Sequence, residues 1–435
     1  MTVARRFSGG PAYAPGFLRA FRHTLLFAVL LGSTPCLGAA ELEWHGRAEL
    51  VGHGERTPAR DLRAPDEGRW RSGTQLDLRG QTQVTDGAWR FAADVQLIAD
   101  YSSDLRGSDL SSRADTIDGD TDPSRAFDLS RTLARSGAHR VRVRVDRLLI
   151  GYRADNFALS LGRQALRWGN GQVFAPMDLL SPFAPETIDR DFKPGDDLAL
   201  AQWQLDDGRD LQIVAVTRRD AAGHRTARAG SAGVHWQQPL GEAELTVLAA
   251  RHIDETVLGL GLSLPVADAV LRADWVLTRL QNGGNAASLV VNADRSFVLA
   301  QRNIYLFAKL YRNGFGRGET PRAITALPTE LTARLARGEL FATSRWYAAV
   351  GGSLEWHSLL RQQFLALASM QDGSALLQSS LRYEPDDRTR LDATLGWSGG
   401  SRGDEFAGLP LSTAPGLTGT LGGGWRGELR YAWYW

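Results

Sequence analysis

Apolar and polar residues alternate with a period of two over long segments of this chain. In "ELEWHGRAELV", which begins at Glu41, the tryptophan, alanine and leucines take one face of an extended chain and the charged residues take the other. The pattern returns in "GTQLDLRGQTQV" from Gly73 and in the last segment, which ends at Trp435. Each segment is about 10 to 13 residues long, whereas strands in soluble proteins usually have five or six. Long strands with one apolar and one charged face, repeated along a chain, are typical of a transmembrane β-barrel.

About eighteen such segments can be placed along the chain. They begin near residues 41, 73, 88, 140, 155, 195, 209, 230, 241, 255, 268, 285, 300, 343, 359, 373, 388 and 422. The segments near 230 and 285 have a weaker pattern, so sixteen strands is the alternative count. Both counts are even, as a single-chain barrel with both termini in the periplasm requires.

The connections between the segments provide an independent test of this count. The even-numbered connections are short and carry turn residues: "TDG", "ADN", "DDGR", "PLG", "PVAD", "DRSF", "WHS" and "EPDD". The long connections are all odd-numbered and include residues 53–72, 102–139, 166–194, 219–229, 313–342 and 400–421. A misplaced strand would break this alternation. The sequence therefore predicts an all-β, antiparallel, up-and-down barrel with short periplasmic turns and long extracellular loops.

A soluble propeller or sandwich is the competing fold. Its strands would be shorter and would bury both sheet faces, so charged residues would not occupy every second position over about twelve residues. Aromatic residues near the strand ends also fit the girdles that mark the two membrane interfaces. These residues are Trp44, Trp89, Tyr101, Trp346, Trp356, Trp433 and Trp435.

The N-terminus has the composition of a cleaved export signal. Four arginines and no acidic residue precede a short apolar stretch, Leu25–Gly32, and small residues follow it. We expect residues 1–40 to be removed and residues 41–435 to form one barrel domain in the bacterial outer membrane. Cleavage removes the only cysteine, Cys36, and leaves 46 basic and 49 acidic residues, a net charge of −3. That balance argues against a nucleic-acid partner.

One long segment, residues 161–197, matches no simple period: "LGRQALRWGNGQVFAPMDLLSPFAPETIDRDFKPGDD". In the strand map it ends the fifth strand and then forms the third extracellular connection, residues 166–194. Part of it resembles a motif of the porin-like proteins with domain of unknown function 1302 (DUF1302) and of alginate-export-type barrels. The matching residues are Gly162, Arg163, Gln164, Trp168 and Gly169. The resemblance implies an outer-membrane channel, and the third loop of general porins folds inward and narrows the barrel.

This loop has an apolar half and a charged half. The apolar half is stiffened by prolines and must pack against protein, for which the expected place is inside the lumen against the strand that carries the motif, the fifth. The charged half faces Arg163 and Arg167 and either selects solutes by charge or fastens the loop by salt bridges. The candidate constriction residues are Arg163, Arg167, Trp168, Phe174, Asp189, Arg190, Asp191 and Lys193.

A second charged feature is the segment "RVRVRVDR" from Arg140. Arginine on the lipid face is costly, so we expect the valines to face lipid and Arg140, Arg142 and Arg144 to face the lumen. An inward basic ladder of this kind would attract anionic solutes. The alternative is that the arginines neutralise acids on neighbouring strands, for which the candidates are Asp77, Asp94 and Asp100.

The residues that an enzyme or a metal site needs do not form a recognisable motif. No histidine lies in an HExxH or Gly-x-Ser-x-Gly context, and Ser231 and His235 share one strand without an adjacent acid. We therefore predict no catalytic residue, no metal and no cofactor. In the loop 313–342, leucines after Pro328 recur at helical spacing, which predicts a short helix over the barrel mouth.

These observations favour a porin-like channel for diffusion or export of small polar or anionic solutes, narrowed by residues 166–194. A channel for hydrophobic substrates, a polysaccharide-export pore, a lipid hydrolase and a non-conducting structural barrel remain as alternatives. The expected partners are the outer-membrane bilayer and the barrel-assembly machinery, which would recognise the last strand ending in Trp435. A periplasmic transport partner, the solute and the oligomeric state are left open.

Overall fold

The structure is a computed structural model. It describes residues 40–59, 61, 69–103, 124–169, 171, 173–180, 182–185, 187, 191–318, 327–414 and 417–435. No helix among these residues is both long and apolar enough to span a bilayer.

The described chain is almost entirely β-structure. In chain order the strands are β1 Glu41–Arg56, β2 Trp70–Asp86, β3 Trp89–Ser102, β4 Ser130–Ser136, β5 His139–Ala154, β6 Phe157–Gln164, β7 Asp196–Gln204, β8 Asp210–Val216, β9 Ser231–Leu240, β10 Ala243–His252, β11 Glu255–Val266, β12 Ala269–Arg279, β13 Asn285–Leu299, β14 Arg302–Arg312, β15 Trp346–His357, β16 Leu360–Ser369, β17 Ala375–Asp386, β18 Thr389–Gly399, β19 Leu409–Ala414, β20 Leu417–Leu421 and β21 Gly424–Tyr434. Eighteen of them, all except β4, β19 and β20, form a closed antiparallel barrel.

The first and last strands close the barrel. β1 pairs with β2 on one side and with β21 on the other, so the sheet has no free edge at this seam. Beyond the end of β21, the backbones of Gly46 and Trp435 exchange two hydrogen bonds of 3.0 and 3.1 Å. The Trp435 ring also contacts Trp44 and Trp433, with centroid separations of 6.0 and 4.9 Å. The terminal aromatic residue is therefore part of the seam.

The barrel confirms the fold predicted from the sequence. The count is eighteen rather than sixteen, because both weaker segments form wall strands, β9 and β13. Every wall strand begins within three residues of its predicted start. The connections alternate between short turns and long loops as expected.

The alternation of side chains sorts lipid-facing from lumen-facing positions. In β11, Leu258, Leu260 and Leu262 are 42–49% exposed, whereas Val257, on the opposite face, is 2% exposed. An apolar side chain this exposed in water would be costly, but it is favourable against lipid. The wall thus presents aliphatic and aromatic residues outward, as a membrane-spanning barrel requires.

One part of the wall has a construction that the sequence pattern did not predict. β6 has eight residues, and its pairing with β5 covers only the lower, periplasmic part of β5. Beyond this point the chain leaves the wall. The upper part of β5 pairs instead with β4, a strand of the preceding loop. The backbone amide of Phe127, just before β4, donates a 2.9 Å hydrogen bond to Asp197 on β7. Residues 124–136 therefore line the wall where β6 ends.

The long loops contain two smaller elements. The helix α1, Thr329–Ala336, confirms the predicted helix, and its Leu331 is fully buried. The hairpin β19–β20 forms a separate two-stranded sheet.

Candidate transport path through the barrel

The third loop, defined here as residues 165–195, packs against inward-facing side chains of the wall. Trp168 stacks on the ring of His235 at 5.3 Å with nearly parallel planes, and its indole N–H donates to Gln212 at 2.8 Å. Met177 is fully buried and belongs to one apolar cluster with Leu248 on β10. These contacts place the first half of the loop inside the barrel, as predicted, but against β8–β12 rather than against its own strand, β6.

The same half of the loop also contacts the following strands of the wall. Phe174 stacks on Tyr311 of β14 at 4.3 Å and lies 5.3 Å from the Tyr347 ring of β15. All three side chains belong to a second buried cluster, which also includes Val290 and Leu367. The apolar half of the loop is therefore used as the core of this side of the molecule.

A buried ion pair holds the two ends of the loop together. The Lys193 ammonium donates to both carboxylate oxygens of Asp178, at 2.6 and 2.7 Å, and to the carbonyl of Leu166 at 2.5 Å. Burial raises the pKa of Asp178 to about 6 and lowers the pKa of Lys193, although each group's charge favours ionisation of the other. Lys193 is 8% exposed, so it fastens the loop rather than lining open space.

The returning end of the loop reaches the opposite wall. The Asp191 carboxylate accepts hydrogen bonds from Arg390 of β18 at 2.6 Å and from the Tyr434 hydroxyl of β21 at 3.1 Å. The Phe192 ring lies under two guanidinium groups, with Arg47 at 4.7 Å and Arg79 at 4.1 Å from its centroid. The loop thus crosses the barrel from β8–β15 to β18, β21, β1 and β2.

This opposite wall carries a dense array of ion pairs, which we call the charged wall; it comprises β1, β2, β3, β5, β18 and β21. Arg79 of β2 binds Asp146 of β5 at 2.8 Å. Other pairs in the array are Arg47–Asp77 at 3.3 Å, Arg147–Asp94 at 3.2 Å, Arg430–Glu49 at 3.3 Å and Arg390–Asp392 at 3.0 Å. Three of these pairs join adjacent strands, Arg79–Asp146 spans β3, and Arg390–Asp392 lies within β18. Cross-strand pairing stabilises the lumen surface and leaves it polar.

The predicted arginine ladder lies on the charged wall and is paired with neighbouring acids and amides. Arg140 and Arg142 both contact Asp100, at 3.3 and 3.1 Å. Arg144 contacts Asp146 at 3.1 Å and donates to Gln96 at 2.7 Å. The three side chains are 12–21% exposed, so solvent reaches them.

The remaining predicted site residues have different surroundings. Arg163 is 1% exposed and binds Asp197 through two nitrogens at 2.9 and 3.0 Å, so it fastens the base of the loop rather than lining open space. Arg167 is exposed and donates to the Gly171 carbonyl at 3.2 Å. Asp189 and Arg190 lie outside the described residues.

Several residues of the path were not singled out from the sequence. Arg47, Arg79 and Arg390 occupy inward positions of the alternating pattern, but their common contacts with residues 191–192 depend on the tertiary fold. A period-two pattern predicts which face a side chain occupies, and it carries no information on a partner about 100 or 200 residues away.

A serine, a histidine and a carboxylate also meet at the extracellular rim. The Ser231 hydroxyl lies 2.8 Å from Nδ1 of His252, whose Nε2 lies 3.1 Å from Glu339. Burial alone would raise the pKa of Glu339, but the charge of His252 and hydrogen bonds from His252 and Arg337 hold the pKa well below its usual range. In the sequence Ser231 lies near His235 on the same strand, and only the cross-strand pairing shows that the partner of Ser231 is His252.

Within the described residues, no group of three or more potential ligands is arranged to hold a metal ion.

Comparisons with known proteins agree on the fold. No protein-family model and no curated protein matches the chain, so the resemblance to the DUF1302 and alginate-export-type families stays a prediction.

Among solved structures, the chain is similar to OccAB3 of Acinetobacter baumannii, with 10% identity, a TM-score of 0.52, and coverage of 91% of this chain and 99% of that chain. OpdQ of Pseudomonas aeruginosa has 10% identity, a TM-score of 0.48 and coverage of 92% and 98%. A mutant porin of Rh. blastica has 10% identity, a TM-score of 0.44 and coverage of 91% and 100%. The likeness to OccAB3 shows the fold, and a barrel with an apolar exterior and a polar interior is the form in which chains cross the bacterial outer membrane.

Proposed function

We propose that the protein is an outer-membrane channel for small polar or anionic solutes. The observation that carries this proposal is the division of the barrel interior. One side is filled by the third loop, and the other is a polar wall with partly exposed arginines. A barrel of eighteen strands has room for water inside, so the space between the loop and the charged wall is the proposed path.

In this mechanism the third loop narrows the path and the charged wall selects by charge. Asp191, Arg142 and Arg147 are 21–33% exposed and would contact a passing solute. Arginine pairs transiently with carboxylates and phosphates, and the paired acids prevent an anion from binding so tightly that it stays. The proposed selectivity is therefore a moderate preference for anions.

The alternative transport classes receive less support from the side chains. A channel for hydrophobic substrates needs free apolar surface along its path, but Trp168, Phe174 and Met177 are all less than 9% exposed. A polysaccharide-export pore would use the same arginine ladder, so it differs from the main proposal in the size of the solute.

Liposome swelling with solutes of graded size tests the proposal and separates these classes. Proteoliposomes that contain residues 41–435 should swell with small sugars and organic anions, and the rate should fall steeply as solute size increases. Equal rates for long oligosaccharides would favour the export pore. The absence of swelling with every solute would contradict a channel and favour a structural barrel.

A second candidate function is a serine hydrolase at the rim, because Ser231, His252 and Glu339 are hydrogen-bonded in series. In such a site the histidine accepts the serine proton while the carboxylate orients the ring. Glu339 is also engaged by Arg337, which donates twice at 2.7 Å, so the carboxylate has a structural role as well. Hydrolysis of a phospholipid or an activated ester that disappears in Ser231→Ala would establish this activity. Equal background rates in both proteins would exclude it.

We further propose that assembly into the membrane depends on the last strand. Trp435 lies at the seam between β1 and β21, so its recognition by the assembly machinery would place the closing strand directly beside its first partner. Co-purification with periplasmic proteins would test for a periplasmic transport partner.

A further inference from the structure

Outward-facing arginines concentrate at the extracellular ends of β10, β12 and β14. Arg251, Arg279 and Arg312 each follow or precede an inward-facing buried residue, so the alternation directs them to the outer surface. Arg251 and Arg279 both pair in register with Thr256 of β11, which places them two strands apart on one row. That separation is about 10 Å.

These arginines lie at the upper boundary of the lipid-facing apolar band. On β11 the outward positions below Thr256 are leucines and a valine down to Val266, and all are exposed. Ten residues of a tilted strand cover roughly 25 Å, the height of the apolar band of such barrels. The row that contains Arg251 and Arg279 is therefore at the level of the outer-leaflet headgroups.

A cavity of about 630 Å³ opens beside this row. Its lining includes Asn285, Arg317, Arg345 and Glu330, together with Phe315 and Pro328. Asn285 is the register partner of Arg279, and Arg345 directly precedes Trp346, the register partner of Arg312. The cavity and the arginine row thus form one surface, which we call the rim arginine site: Arg279, Arg312, Arg317 and Arg345.

The local charge and the contacts favour an anion at this site. Arg345 is exposed, and its Nε donates to the Gly316 carbonyl at 3.3 Å, which positions the guanidinium without neutralising it. Arg279 is exposed and has no ion pair within the described part of the chain. Among the described residues of the lining the one acid is Glu330, which accepts a 2.7 Å hydrogen bond from Asn282. Guanidinium groups bind phosphate oxygens through two parallel hydrogen bonds, which an ammonium cannot reproduce.

We propose that the rim arginine site binds the phosphate-bearing headgroup of an outer-leaflet lipid. The phosphates contact Arg279 and Arg345, and the acyl chains lie on the leucine-rich surface of β11 and β12 below. A membrane lipid rather than a free phosphate fits the position of the site, because the arginines border the apolar band directly.

The test measures binding of lipid A and of dephosphorylated lipid A to the refolded full chain in detergent micelles. The double variant Arg279→Gln/Arg345→Gln should bind lipid A about tenfold more weakly than the natural chain, since two phosphate contacts are lost. The matched control is Arg295→Gln. Arg295 also faces outward on β13, but it lies at the periplasmic end and is paired with Asp268 at 2.6 Å.

The proposal predicts that only the phosphorylated lipid binds tightly, and that Arg279→Lys/Arg345→Lys retains part of the affinity. An unchanged affinity in the glutamine double variant would overturn it, as would an equal loss in the Arg295 control. Inorganic phosphate that binds as tightly as lipid A would identify a free-anion site and overturn the assignment to a lipid. Retention of the heat-resistant folded band on gels ensures that each variant is compared as a folded barrel.

Discussion

At the scale of single residues, the pair of Arg163 and Asp197 connects three parts of the wall. Arg163 binds the carboxylate of β7 and also donates to the carbonyls of Phe127 and Val145, at 2.6 and 3.2 Å. Asp197 in turn accepts the Phe127 amide. Because both side chains are almost fully buried, the cost of removing one partner includes the cost of leaving the other charge unpaired.

We predict that Arg163→Met lowers the free energy of unfolding by about 3–5 kcal/mol. The double variant Arg163→Met/Asp197→Leu should lose less than the sum of the two single variants, because it leaves no isolated charge. Urea unfolding in lipid vesicles, followed by tryptophan fluorescence, measures these differences. Additive losses would show that the two side chains do not stabilise the wall as a pair.

Gly162 permits the departure of the chain from the wall. Its φ of +126° is unfavourable for other residues, and an added Cβ would lie 2.1 Å from the Leu148 carbonyl oxygen. We predict that Gly162→Ala destabilises the barrel by roughly 1–3 kcal/mol or shifts the loop base. The control is Gly80→Ala, since nothing lies within 4 Å of a Cβ at Gly80. Equal unfolding midpoints for the two variants would contradict this account of the bend.

At the scale of elements, α1 is held to the barrel rim by ion pairs. Glu339, just after α1, contacts His252 of β10, and Arg334 within α1 pairs with Glu255 of β11. The pKa of Glu339 is lower in the folded protein than in the unfolded chain, so the ionised carboxylate stabilises the folded state. This stabilisation is present above the unfolded pKa of about 4.3 and is lost as the pH falls below that value.

We therefore predict that hydrogen-exchange protection of the α1 amides, corrected for intrinsic rates, decreases as the pH falls below about 4.3. Glu339→Gln should show reduced protection at neutral pH and no such decrease. Glu330→Gln is the control, because Glu330 lies at the solvent-exposed start of α1 and contacts Asn282 instead. A decrease of the same size in Glu339→Gln would mean that another group controls the loop.

The elements also show how far the sequence can be used for prediction. Wall strands such as β11 were predictable because the membrane requires alternate apolar positions along their whole length. β4 was not, because "SRTLARS" is short and its role depends on the early end of β6, to which nothing in its own pattern points. Phe174 was correctly placed in an apolar half-loop, but its partners, Tyr311 and Tyr347, depend on which strands the loop crosses.

At the scale of the whole molecule, the interior has two unlike sides. The third loop covers the inward faces of β8–β15 with apolar contacts, while the facing wall carries arginines paired with acids. Under the proposed function, the loop side sets the width of the path and the charged wall sets its charge.

The arginine ladder gives this division a measurable consequence. We predict that Arg140→Gln/Arg142→Gln/Arg144→Gln shifts the reversal potential under a salt gradient toward cation preference, because Asp100 then loses Arg140 and Arg142 and Asp146 keeps only Arg79 of its two arginine contacts. The matched control replaces Arg131 and Arg135 of β4 by glutamine. Both residues are exposed, and their strand pairs only with the upper part of β5. The ladder variant removes three charges and the control removes two, so the shifts are compared per removed charge. An equal shift per charge in both proteins would assign selectivity to the net charge rather than to the ladder.

The central claim, that the barrel conducts and that its third loop narrows the path, is tested most directly by single-channel conductance in a planar bilayer. The natural chain is compared with a variant that lacks residues 172–187, and a variant that lacks residues 410–420 of the β19–β20 hairpin serves as the loop-deletion control. The account predicts steady conductance in all three proteins, with a clear increase only when residues 172–187 are deleted. No conductance from any of the folded proteins would contradict the channel, and an unchanged conductance after deletion of residues 172–187 would contradict the role of the third loop.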